Sequence, residues 1–358
     1  MELKVEKELS FKKIQMKLSK SSLHNRYRKW VLSIIVLLGL LISSIFLSLL
    51  VGEMDISISD IMVFMKTKQG IEYAVLANIR IPRTILAFSV GGALSLAGTI
   101  LQGVYRNPLV EPYTMGISGG AALAVSICIV FGIHLHTSAL ILPLFGFIGA
   151  FSSIFLVYLL SVKRKRDVNI NRMLLIGVMI SFIASSAMLF FMSITTAENL
   201  HGIVFWIMGS LNEPNMNLIK ISLITSLIGL LVSYIYVIPL NALRLGEIKA
   251  KHLGVKTITS IKVLFVVASV ITGISVSVAG VIGFVGLIIP HIVRNIIGSD
   301  YRILLVASFL GGAIFLILSD ILARTVIYPN ELPIGVITGM LGGVVFIIAL
   351  SRKLKTIE

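Results

Sequence analysis

Apolar runs of helical-span length recur along the chain, separated by short stretches that hold most of its charge. A helix needs about 20 apolar residues to cross a hydrocarbon core of roughly 30 Å. Runs of that order lie at 31–51, 84–104, 113–133, 139–162, 173–194, 218–237, 263–279, 303–322 and 332–350, with a shorter one at 284–297 beside Gly280, Gly283 and Gly286. The pattern predicts an all-α polytopic membrane protein of about ten transmembrane helices. Between the second and third runs, Arg106, Asn107, Pro108, Glu111 and Pro112 stop a helix and want water or protein partners, so the chain turns there. Residues 56–79 mix polarities and read as short helices at a membrane surface. Leu200 to Met208 reads as a short interfacial helix carrying Trp206.

One stretch has an echo. Ser277-Val278-Ala279-Gly280-Val281-Ile282 resembles Ser95-Leu96-Ala97-Gly98-Thr99-Ile100, Gly273 matches Gly91, and Pro290 stands as far beyond Gly280 as Pro108 does beyond Gly98. An odd number of spans separates the copies, which predicts an inverted repeat of the kind found in transporters.

Composition agrees with the pattern: 57% hydrophobic and 13% charged residues, against about 45–50% and 25% in soluble domains. The net charge of +15 might point to nucleic acid, but the charges follow the membrane instead. With residues 1–29, Arg106, residues 163–172, residues 244–262, Arg294, Arg302 and the C-terminus on one side, 25 of the 31 Lys/Arg fall on that side. The positive-inside rule then makes both termini cytoplasmic. The expected organisation is a basic cytoplasmic tail at 1–29, disordered or lying on the surface, a transmembrane domain at 30–352 with a cytoplasmic loop at 240–257, and a tail at 353–358. Nucleic acid is not an expected partner; membrane lipid is.

Chemistry is sparse. Cys128 has no second cysteine to pair with, the six histidines are scattered, and no GxxxxGK[ST] is present, so metal catalysis and P-loop ATP binding are not expected of this chain. Gly116-Ile117-Ser118-Gly119-Gly120 fits the glycine-serine pattern of a serine hydrolase, but a nucleophile needs a base within reach. The membrane-embedded candidate, His291, sits just after Pro290 near the inner surface, and His134, His136 and His201 lie in outer loops. Small residues for close helix approach are the plainer account, as for Gly335, Gly339 and Gly343. Asp320 and Arg324, four residues apart, share a helix face and read as an ion pair. Ser181, Ser185, Met188 and Met192 recur at helical spacing, a face that suits either a passage for a bulky solute or ordinary packing. Arg80, Arg83 and Arg324 put positive charge on the side that the rule keeps poor in it.

The segments RIPRTILAFSVGGALSLAGTILQGVYRNPLVEP, FWIMGS, LGEIKAKHLGV, GVIGFVGLIIPHIVR and LSDILARTVIYPNELPIG resemble those of the iron-chelate and cobalamin family of ABC-importer permeases, in order, from about residue 30 to 352. The resemblance implies a ten-helix subunit of the cytoplasmic (inner) membrane. It would pair with a second copy, two cytoplasmic ATPases holding the ATP and magnesium, and an extracytoplasmic solute-binding protein, with no cofactor in this chain. It also implies roles: Leu245, Gly246, Glu247, Ala250, Leu253 and Gly254 in ATPase coupling, Arg80, Arg83 and Arg324 in docking the binding protein, and Ser181, Ser185, Met188 and Met192 along the pathway. The cargo expected is an iron–siderophore or haem-like chelate, with cobalamin as the alternative. An intramembrane hydrolase using Ser118 and a channel or secondary carrier are the rivals from other classes.

Overall fold

The computed structural model of the chain describes residues 2–52, 70–135, 138, 140–161, 170–327 and 330–354, with the side chains of 2–25, 170, 349–350 and 352–354 excepted. The basic cluster 163–166, the acidic residues 53, 55 and 60 and His136 lie outside the described residues. Besides the short helix Ile71–Val75, whose π-helical continuation Leu76–Arg80 runs into α2, and brief 3-10 turns, the helices among the described residues are α1 (Glu2–Leu50), α2 (Ile81–Tyr105), α3 (Ile117–Val130), α4 (Ile141–Ser161), α5 (Ile170–Ile194), α6 (Ala197–Met208), α7 (Met216–Ile235), α8 (Val237–Leu243), α9 (Glu247–His252), α10 (Thr257–Ala279), α11 (Val285–Ile297), α12 (Tyr301–Thr325) and α13 (Ile334–Leu354). Seven helices are long and apolar enough to span a bilayer, and Ile117–Val130, Val285–Ile297 and Ile334–Ile348 are shorter apolar helices. These match the ten expected spans one for one.

The N-terminal segment differs from expectation. Helix α1 runs unbroken from Glu2 through the first span. No Gly or Pro precedes Gly39, and the Lys, Glu and Leu that fill the segment are strong helix formers, so nothing stops the helix at the membrane surface.

Helix α2 is the central post. All its residues except Ile81, Ile85 and Phe88 are buried, and α12, α10, α7 and α11 pack around it. Small residues allow this. A Cβ on Gly91 would strike the Gly312 backbone of α12, and one on Gly98 would strike the Gly286 backbone of α11. The glycine-serine stretch of α3 serves the same end: a Cβ on Gly120 would meet Ser153 and Gly149 of α4, and Gly119 lies against Ser181 of α5. Packing therefore accounts for the sequence around Ser118. In α13 Gly335 is such a contact, against Met208 and Val281, and Gly342 is another, against Phe284 and Ile288; Gly339 and Gly343 face open space.

The sequence echo does not fall on equivalent backbone. Ser95–Ile100 is uninterrupted helix, whereas Ser277–Ile282 crosses the end of α10, where Gly280 takes φ +69°. Pro108 sits in a turn and Pro290 inside α11. Gly98 is needed for close approach; Gly280 also lies tight against the Trp206 carbonyl and in addition takes a positive φ, so the second glycine meets a demand that the first does not.

Candidate functional site

At one end of the bundle α1 terminates against α2 and α12. The last carbonyls of a helix have no partner of their own, and here arginines supply one. Arg80 donates to the carbonyls of Leu49 (2.6 Å) and Leu50 (2.8 Å). Arg324 reaches Ser48 Oγ (3.1 Å) and the Val51 carbonyl (3.3 Å). Arg83 Nε donates to Asp320 Oδ1 at 2.7 Å, and its Nη1 lies 2.8 Å from both Glu331 oxygens. Arg324 Nε lies 3.1 Å from Asp320 Oδ2, completing the expected i,i+4 pair. All three arginines are buried, at 3%, 6% and 6% exposure. Within the chain, Arg80 and Arg324 cap the end of α1, while Arg83 and Arg324 neutralise Asp320.

Beside this cluster opens a basin of about 660 Å³, lined by Arg83 and Glu331 together with His134, Glu198, His201, Trp206 and Asn212. The Nδ1 atom of His134 is buried without a hydrogen-bond partner. These residues come from the segments after α3, around α6 and before α13, so no local motif joins them in the sequence.

The basin reaches towards the break between α10 and α11. Five residues there, Gly280 to Phe284, leave helical geometry, and Phe284 holds φ +69° although it has a side chain. Irregular backbone at membrane depth must find partners inside the protein. Glu111 Oε1 accepts the Phe284 amide at 2.7 Å, Tyr113 Oη accepts the Ile282 amide at 3.1 Å, and the Ala279 carbonyl accepts Ser210 N at 2.9 Å. Burial pushes the Glu111 carboxyl above its ordinary range, and the Phe284 amide pulls it partly back. The turn after α2 thus exists to hold the broken helix.

The face of α5 expected to line a passage is turned inward. Ser181 backs onto Gly119 of α3, and Met192 packs with Val125, Ile129 and Ile203. Ser185 and Met188, on the same face, are half-buried. Within the chain, Ser181, Ser185, Met188 and Met192 therefore lie on the side of α5 that meets its neighbours. The face that α5 leaves open carries Leu175, Phe182, Ile183 and Phe190 instead. Serine spacing could not separate the two, because small polar residues also mark tight helix contacts.

At the opposite end, Arg26 pairs with Asp300 (2.9 Å), Asn241 binds Asp300 (3.0 Å), and Arg244 donates to the Ser299 carbonyl (2.6 Å). Helix α9 projects here between α8 and α10. Its end is a Schellman closure: Val255 N donates to the Ala250 carbonyl (3.1 Å), Gly254 N to that of Lys251 (2.9 Å), and Gly254 takes φ +81°. Ala250 is fully buried in the core, whereas Leu245, Ile248 and Leu253 are 58%, 73% and 63% exposed. Glu247 pairs with Lys251 at 3.1 Å. Of the residues assigned to coupling, Ala250 is the anchor, Gly246 (φ +104°) and Gly254 are the hinged ends, Glu247 braces the helix, and Leu245 and Leu253 are offered outward. Ile248, the most exposed of the group, was missed by the sequence reading, and the amphipathic spacing around Ala250 was the available signal.

An all-helical bundle with ten apolar helices, a supported break at membrane depth and a rigid apolar knob outside the spans defines the transmembrane subunit of a membrane transporter. The sequence model of the FecCD transport family matches residues 40–352, and the chain belongs to that family. Among relatives, it is 40% identical over 282 residues to the hemin transport system permease protein HmuU of Yersinia pestis, covering 77% of this chain and 83% of that one. It is 34% identical over 334 residues to the vitamin B12 import system permease protein BtuC of Klebsiella pneumoniae, covering 92% and 95%. A metal-chelate type ABC transporter solved in an inward-facing conformation superposes with TM-score 0.79 at 30% identity, covering 89% of this chain and 98% of that chain.

Proposed function

We propose that the chain is the permease subunit of an ATP-binding-cassette importer that carries a bulky metal chelate, an iron–siderophore or haem, through the cytoplasmic membrane. The observation that carries this reading is α9. A helix of six residues, capped at its end and anchored by Ala250, offers Leu245, Ile248 and Leu253 to a partner outside the spans. Exposed apolar side chains on a rigid support are what a docking protein takes hold of. A push on α9 passes through Ala250 into α8 and α10, the latter leading to the supported break at Gly280. Two ATPase subunits on the cytoplasmic side would supply that push, with ATP and magnesium bound there and no cofactor in this chain.

The end bearing α9 is then cytoplasmic, in keeping with the distribution of Lys and Arg, and the basin at the Arg83 end faces the solute-binding protein. A second copy of the chain completes the pathway; the open apolar face of α5 and the unpartnered Gly339 and Gly343 of α13 support an interface with it. Cobalamin is the second reading for the cargo, favoured by the near full-length match to a vitamin B12 permease. The coupling part is tested by Ile248→Cys in a Cys128→Ser background. Cross-linking to the co-expressed ATPase is expected from position 248, and cross-linking only from the opposite end would reverse the orientation.

A further inference from the structure

At the α9 end a pocket of about 270 Å³ lies between the end of α2, α11 and the turns before α9 and α12; Arg106, Arg244, His291, Arg294, Asn295 and Tyr301 are among its lining residues. Among the described residues no Asp or Glu lines it. Asp300, between the lining residues Ser299 and Tyr301, is engaged by Arg26 at 2.9 Å and by Asn241 at 3.0 Å. Arg244 uses one nitrogen on the Ser299 carbonyl, and Arg294 Nη2 donates to Gln102 Oε1 at 3.1 Å, which holds both guanidiniums in place. Arg106, at φ +52°, makes no hydrogen bond or ion pair among the described residues. Three helices end here, α2 at Arg106, α8 at Arg244 and α11 just past Arg294. A helix C-terminus carries only about half a negative charge, so three guanidiniums leave an excess of positive charge that the chain itself does not balance.

We propose that this pocket seats a phosphate group, held by Arg106, Arg244 and Arg294. Guanidinium forks match phosphate oxygens in charge and geometry, and basic pockets between helices on the cytoplasmic side hold anionic lipid headgroups. The group could come from an anionic phospholipid or from a soluble phosphate. A Cβ on Gly246 would lie 3.4 Å from Arg106 Nη1, so a bound phosphate would tie the turn into α9 to α2 and α11 and stiffen the support on which coupling depends. The proposal uses the orientation assigned above only to choose the lipid leaflet.

The test is native mass spectrometry of the detergent-solubilised full-length chain with dioleoylphosphatidylglycerol, dioleoylphosphatidylcholine or inorganic phosphate. The variants are Arg106→Asn, which tolerates the left-handed backbone, and Arg294→Gln; Lys220→Gln, at the far end, is the control. Preferential retention of phosphatidylglycerol that inorganic phosphate displaces identifies the lipid as source, whereas phosphate binding without lipid preference identifies a soluble anion. Either should weaken by about fivefold per guanidinium removed and be unchanged in the control. If the wild-type chain binds neither probe, or the arginine variants bind as it does, the proposal is overturned, and this holds even should a variant fail to fold because the wild-type result decides. Transport is not measured, so such a failure leaves the importer reading standing.

Discussion

Arg80, Arg83 and Arg324 at one end of the bundle are buried against carbonyls and carboxylates of the same chain, whereas Arg106 and Arg244 at the other stay exposed beside Leu245, Ile248 and Leu253. The two groups look alike in sequence, since each consists of arginines flanking apolar spans. Their partners separate them. The first end closes α1 onto α2 and α12 and leaves little charge for another molecule; the second keeps charge and apolar surface in reserve. An arginine at the edge of a membrane span is thus no sign of a docking surface until the carbonyls and acids within its reach have been counted.

The comparison is broken most severely at Asp320. Asp320→Asn removes the charge shared by two buried guanidiniums, and a buried pair that loses one partner costs roughly 3–5 kcal/mol. The variant should accumulate poorly in the membrane and unfold well below wild type in a fluorescence-detected thermal assay. A shift within error would mean that water, not Asp320, compensates Arg83 and Arg324. Gly98→Ala should come next, at about 1–3 kcal/mol, because its methyl group overlaps the Gly286 backbone. Gly343→Ala, with nothing near it, should leave the monomer's stability unchanged. Equal behaviour of the two glycines would contradict the close α2–α11 crossing.

The spans were legible because the cost of burying charge in lipid writes itself into twenty-residue windows. The Asp320–Arg324 pair was legible too, from its i,i+4 spacing. Its extension to Arg83 and Glu331 was not, since those partners lie 237 and 248 positions apart in their pairs with Arg83. Charge counting placed Arg80, Arg83 and Arg324 at one membrane surface; that Arg80 and Arg324 also donate to the carbonyls ending α1 was not legible, because those partners are remote in sequence. The neighbours of the α5 face were not legible either: Ser181 and Ser185 signal a tight contact as readily as a wet one. Gly254 was legible as a helix end, because a left-handed cap is a local demand that glycine alone meets without strain.

A smaller effect sharpens the exposed end. Gly254→Val forces a branched side chain into φ +81°, at a local cost on the order of 1–2 kcal/mol. It should loosen α9 and reduce co-purification of the ATPase while the bundle's melting temperature stays near wild type. Retained co-purification would show that the Schellman closure is dispensable for coupling.

The central claim is that α9 transmits ATP hydrolysis to the bundle, and it is tested most directly at its most exposed side chain. Ile248→Asp changes a residue 73% exposed, so its effect on stability should be small. Reconstituted with its ATPase and binding protein in proteoliposomes, the variant should lose ATP-driven uptake of the chelate while the permease remains folded and inserted. Uptake at the wild-type rate would contradict the account.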